Sequence, residues 1–322
     1  MNASGSAAVV LAFAAVQIGC VSSFATGMAA DALAESSDVY GSDNDPELVE
    51  AAIPFGLKTM ESVLDKKPEH RGLLTSLTSG FTSYSYGFVQ QQAFMLQDED
   101  PQRAEELMGR SRKLYLRARG YGFRALNLTV ENFEGRLRAS DQTVLEDLEP
   151  EHVPLLYWTA AAWALAVAAG ELDPEEIADF PLVDIMVQRA VTLDADWNRG
   201  ALYDFLIQLE GARPGADLDR ADEYFARAVE LSDGRRAGTF VGYAEVVCVQ
   251  RQDGVSFVSN LRRALAVDVD ALPEERLNNI LMKARARVLL ERSADLFLED
   301  PLADDEEALG TNEFPSLLGQ GS

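Results

Sequence analysis

From Asp45 to about Leu298 apolar residues recur three and four positions apart, the period of a helix with one buried stripe, and strand-like alternation is scarce. The pattern predicts an all-α fold. Its start is marked by Gly41-Ser42-Asp43-Asn44-Asp45-Pro46, in which Asp45 suits an N-cap and Pro46 the first helical position. The stretch Ala221 to Leu231 places an aromatic residue, Phe225, three positions before Ala228 and a leucine, Leu231, three after it. Related endings at Ala190-Val191-Thr192-Leu193-Asp194 and Ala264-Leu265-Ala266-Val267-Asp268 are spaced close to the roughly 34-residue tetratricopeptide period, with short insertions. Ala125-Leu126-Asn127-Leu128 is a more distant cognate. A single hairpin cannot bury its own apolar stripe, so tetratricopeptide-like helical hairpins stacked as an α-solenoid or compact helical bundle are expected.

Two segments stand apart. Gly72 to Gln97 has no charged residue yet is rich in hydroxyls and amides, as suits a helix enclosed by protein. Phe81, Tyr84 and Phe88 share one stripe of it, and Tyr84 shares a face with Gln91. Val153 to Gly170 is almost wholly apolar and Ala-rich, which reads as a central buried helix in preference to a membrane span. Phe81, Tyr84, Phe88, Gln91, Tyr157, Trp158 and Trp163 are therefore candidates for the wall of a cavity that takes a small, largely apolar ligand. The plainer alternative for each is core filling, since aromatic stripes at helical spacing usually pack. Tyr84 and Gln91 favour the cavity because a buried polar tip without a partner is costly.

The chain ends add an organisation. Residues 1–19 have no acid or base and hold the apolar run Ala7 to Val16 before Gly19-Cys20, the layout of a lipoprotein-type signal peptide with Cys20 as the lipidation site. Gln17 departs from the leucine usual at such sites. Residues 20–45 then read as a lipidated tether, 46–300 as the helical domain and 301–322 as a flexible acidic tail. Cys248 is left without a disulfide partner in an apolar setting, where a thiol is an inert filler.

Charge and chemistry narrow the function. Lys plus Arg is 28 against 53 for Asp plus Glu, a net charge of −25, which repels phosphate backbones and excludes nucleic acid as a partner. The chain has two His, two Cys and none of the common nucleotide, zinc-protease, serine-hydrolase or dithiol motifs, so neither an enzyme nor a cofactor or metal is expected. His70 and His152 sit at helix boundaries and read as capping residues, and Asp43, Asn44 and Asp45 lack the turn glycine and distant glutamate of a calcium loop. Arg213, Arg235 and Arg236 are candidates for an acidic partner surface or for internal acids at a repeat junction. Neighbouring Gly and Pro favour the internal role.

Several blocks carry a further resemblance: Asp45 to Val49 leading to Ala52-Ile53-Pro54-Phe55, His70 to Leu74, Phe81 to Gln92, Val153 to Trp163, Glu210 to Gly215 and Gly234 to Gly238. Together they resemble the TatT family, the T-components associated with tripartite ATP-independent periplasmic (TRAP) transporters. The resemblance implies a periplasmic, membrane-anchored lipoprotein of tetratricopeptide-like hairpins, expected as a homotrimer, that engages the soluble substrate-binding P-component and passes a hydrophobic ligand through an internal channel. It carries the family's lipid site to Cys20 and implies no catalytic residue. The competing expectation is a general envelope scaffold with no ligand of its own.

Overall fold

The computed structural model describes Ala30 and residues 38–170, 178–213 and 215–303. Cys20, the leader, most of the tether, Pro214 and the tail beyond Ala303 lie outside the described residues. Within them every regular element is helical, as the spacing predicts. The longer α-helices are α2 (Pro46–Leu64), α3 (Arg71–Tyr84), α5 (Pro101–Thr129), α7 (Val153–Ala168), α8 (Phe180–Leu193), α9 (Ala201–Ala212), α10 (Leu218–Ser232), α13 (Gly254–Ala266) and α14 (Arg276–Glu291). Shorter ones are α1 (Asp38–Gly41), α4 (Gln91–Leu96), α6 (Phe133–Arg138), α11 (Ala237–Tyr243), α12 (Val249–Arg251) and α15 (Ser293–Leu296).

Part of the acid excess is spent on helix starts. Asp45 accepts from the Leu48 amide at 3.0 Å, Asp100 from Arg103 at 3.0 Å and Asp253 from Ser256 at 2.9 Å, each satisfying an amide that has no partner within its helix. His70 Nδ1 accepts from the Leu73 amide at 3.1 Å, and His152 Nδ1 from the Glu149 amide at 3.0 Å.

Ala190, Ala228 and Ala264 are all closed to solvent near the ends of their helices. At Gly200, whose φ is +94°, a Cβ would stand 3.1 Å from the Ala228 Cα, so the entry to α9 crosses α10 where only small residues fit.

Helices pack in succession: α3 and α7 on α5, α8 on α7, α10 on α9, and α13 on α11 and α14. The last long helix does not end an open stack. It returns to α1, α2 and α4, with Arg276 Nη1 donating to the Ser42 carbonyl at 2.8 Å and Arg292 Nη1 to the Phe94 carbonyl at 2.8 Å. Its apolar side chains also join both hydrophobic clusters, Leu277 in one and Met282, Ala286 and Leu289 in the other. The helices thus close on themselves around an interior. Buried α7 lies within that closure, and no helix among the described residues is long and apolar enough to cross a membrane.

One expected element is interrupted. The uncharged segment 72–97 is α-helical only to Tyr84, then π-helical over Ser85–Gln90 before α4 resumes. A second π segment, Ala244–Cys248, joins α11 to α12. A π turn holds an extra residue and rotates everything after it relative to an α register, which the period of the sequence does not reveal.

Candidate functional site

Each π segment carries one side chain of the candidate site, Tyr86 and Glu245. Tyr86, in the first, keeps 37% of its surface open, yet burial pushes its phenol pKa up. Tyr86 is thus partly open although the surrounding protein desolvates it. Tyr157 of α7 behaves alike, its phenol pushed up chiefly by burial, and it lies within electrostatic reach of Tyr86. The two tyrosines therefore mark one candidate hollow.

Ionisable groups face them from separate elements. Arg236, just before α11, donates through Nη1 to the Asn198 carbonyl at 2.6 Å. Its Nη2 stands 3.4 Å from Asp204 Oδ2 and its Nη1 3.7 Å from Glu275 Oε1. Thr239 Oγ1 donates to Asp204 Oδ1 at 2.7 Å. Burial raises the Asp204 pKa against the pull of Arg236 and Thr239. Burial alone would lower Arg236, but the Asp204 and Glu275 carboxylates outweigh it and hold the guanidinium above its ordinary value.

The second π segment supplies Glu245, which meets Arg285 of α14 in a two-pronged pair: Arg285 Nε donates at 2.9 Å and Nη2 makes the shorter contact. Arg285 Nη1 also donates to Gln91 Oε1 at 3.1 Å, and the guanidinium lies over the Phe94 ring at 3.8 Å. This pair ties the region after the first π segment to the second.

The sequence candidates divide on this geometry. Tyr157 has Trp158, Trp197 and Phe205 around its ring at 4.9, 4.8 and 5.8 Å. Gln91 is buried and accepts from Arg285. Phe81 instead stacks on Tyr121 at 6.0 Å with Arg117 over its face, and Tyr84 packs against Phe88 at 5.9 Å while its hydroxyl accepts from Arg110. Trp163 is fully buried, edge-on to Phe123 at 5.1 Å and under Arg138. These four are packed side chains. Of the arginines, Arg236 is internal, Arg213 pairs with Asp184 at 3.1 Å, and half-exposed Arg235 pairs with its near neighbour Asp233 at 2.7 Å.

Sequence reasoning missed Tyr86, Asp204, Glu245, Glu275 and Arg285. Tyr86 sits off the stripe of Phe81, Tyr84 and Phe88, within the π turn. Asp204 and Glu245 had a signal, a single acid inside an apolar run, as in Leu202-Tyr203-Asp204-Phe205-Leu206. Cys248 is buried and its thiol is pushed up to about 12, chiefly by burial, so it is unreactive at neutral pH.

The family model for the TRAP transporter T-component matches residues 42–297, which include every residue of the hollow named above. The chain belongs to that family. An uncharacterized protein of Treponema pallidum (strain Nichols) is 27% identical over 273 residues, 83% of this chain and 84% of the relative. A T-component is an accessory part of a TRAP transport system, and the family is not known as an enzyme family. Among the described residues no group of His, Cys, Asp and Glu is placed to hold a metal ion.

Proposed function

We propose that this T-component is a periplasmic lipoprotein that docks on the substrate-binding P-component of its TRAP system and holds or passes a small, mainly apolar ligand in its central hollow. The observation that carries the reading is the open surface of Tyr86 on a helix array whose last long helix returns to its first. Tyr157 and Trp158 supply apolar wall area beside it, and a pocket with a few polar groups among aromatic walls is the usual form of a ligand site. Cys20 carries the acyl anchor, and residues 20–45 form the tether. The body is built from tetratricopeptide-like hairpins, a reading supported by the periodic small residues Ala190, Ala228 and Ala264, and assembles as a homotrimer.

The test is co-purification of the full chain with the P-component encoded in the same genome, followed by mass spectrometry of small molecules extracted from the complex. A stable complex carrying an apolar small molecule is expected. Absence of any association at high protein concentration would overturn the docking reading, and a complex free of extractable ligand would overturn the ligand reading.

A further inference from the structure

We propose that residues 304–322 dock back on the body, along the outer face of α13, with their acids on Arg262 and Arg263 and their apolar residues over the valines beside them. The proposal does not depend on the hollow.

The surface suits a segment of that chemistry. An open groove of about 560 Å³ follows α13, lined by Val255, Val258, Arg262, Arg263 and Ala266, with Pro301 at its side. Positions 255, 258, 262 and 266 recur three and four apart and so form one stripe of the helix. Val255, 83% exposed, and Leu298, 93% exposed, are the most open large apolar side chains among the described residues. Leu298 stands at the same end of the helix, its amide donating to Gln252 Oε1 at 2.9 Å. In a chain of net charge −25, α13 carries two arginines and no acid. Both are exposed, and Arg263 is steadied by Asn260 Oδ1 at 3.2 Å and by the Phe240 ring at 4.2 Å.

The segment that follows has the complementary composition and starts at the groove. Residues 304–322 hold five acids and no base, opening with Asp304-Asp305-Glu306-Glu307 and continuing to Phe314, Leu317 and Leu318. The chain leading to them is fastened to α13 and the turn before it. Gln252 Nε2 donates to the Leu296 carbonyl at 3.1 Å, and Phe297 lies edge-on to Phe257 at 4.9 Å. Pro301 sits so close that a Cβ on Gly254 would stand 2.6 Å from it. Arg262 lies seven helical residues beyond Val255, about 10 Å. The four acids lie three to six residues beyond Pro301, an extended reach of roughly 10–20 Å. They therefore meet the arginines, with the length to Leu318 left to cover the valines. A segment so tethered acts at a local concentration of order 1 mM, so an intrinsic Kd of about 100 μM keeps it docked about nine-tenths of the time.

The test reads the rate at which a neutral maleimide labels the thiol of Val255→Cys in the full chain in nonionic detergent. Peptide mass spectrometry separates that label from any on Cys20 or Cys248. Deleting residues 304–322 is expected to speed labelling about tenfold, the inverse of the undocked fraction. In the full chain, Asp304→Asn, Asp305→Asn, Glu306→Gln and Glu307→Gln together, or Arg262→Glu alone, are expected to speed it severalfold, as is high salt. These full-chain variants decide the outcome should the shortened chain not fold. Rates unchanged by deletion and by neutralisation would overturn the proposal. Protection that fades on dilution would overturn it too, because the groove would then hold the segment of a second copy. So would a thiol that is open in the chain alone and shielded only when the P-component is added, since the groove would then be a partner's seat.

Discussion

Two partly buried acids respond to their surroundings in opposite ways, and the contrast can be measured. Burial favours the neutral form of Asp204, and Arg236 and Thr239 do not offset it, so its pKa is raised. Burial acts the same way on Glu61 of α2, but hydrogen bonds from Lys58 and Tyr121 and the charge of Arg117 overturn it, so that pKa is lowered. Linkage sets the signs. For Asp204 the native state holds its proton longer than the unfolded chain, so stability falls as pH rises above the ordinary aspartate value of about 4 and levels off above the raised native value. For Glu61 the contribution is complete above the ordinary glutamate value of about 4.3 and is lost as pH falls through the lowered native value. Urea midpoints across this acid range should therefore separate the variants. Relative to the parent, Asp204→Asn should gain stability steadily with rising pH, and Glu61→Gln should lose it. Parallel pH profiles for the two variants would contradict these environments. At this scale the sequence was legible where a residue acts on its own backbone neighbours. The caps at Asp45 and His70 depend only on residues a few positions away. It was not legible at Asp204, whose partners Arg236 and Thr239 come from another helix and the turn before it.

At the scale of helices, what governs contact is how closely two backbones approach. A Cβ added at Gly122 of α5 would collide with the Thr159 side chain of α7, with the hydroxyl oxygen nearest. Thr159 is itself closed to solvent, and its hydroxyl donates to the Leu155 carbonyl at 2.6 Å, so it cannot swing away without losing that bond. Gly122→Ala is expected to cost about 1–3 kcal/mol, the usual range for overpacking a filled core. Adding Thr159→Ala should restore more than half of the loss, because the two changes act on one space and are not additive. Denaturant unfolding of the four members of the cycle checks this, and additive costs would show that the crossing is not the source. Helical period identified both α5 and α7 as helices, and the Ala-rich composition of α7 announced close packing. Period could not announce the π turns at Ser85–Gln90 and Ala244–Cys248, because an extra residue in one turn leaves the composition unchanged and only shifts which side chains face inward. The aromatic stripe seen in the sequence is packed core, while Tyr86, between its members, keeps open surface.

For the whole molecule, closure decides how the parts depend on one another. In an open repeat stack each unit touches only its neighbours, so removing the last one lowers stability by a share and leaves the rest folded. Here α14 belongs to both ends. Leu277 and Leu289 pack in different hydrophobic clusters, Arg276 and Arg292 bond to the backbone of residues 42 and 94, and Arg285 holds Glu245 and Gln91. Deleting residues 276–303 should therefore expose both clusters and open the hollow together, even though the helices from 46 to 266 retain their own sequences. The expected product keeps much of its helical circular dichroism, binds a hydrophobic dye strongly and unfolds without a sharp transition, as loosely packed compact states do. A truncated chain that still unfolds cooperatively, with stability reduced only in proportion to its length, would mean that the array behaves as an open stack. The hollow would then have to be held by α7, α9 and the first π segment alone.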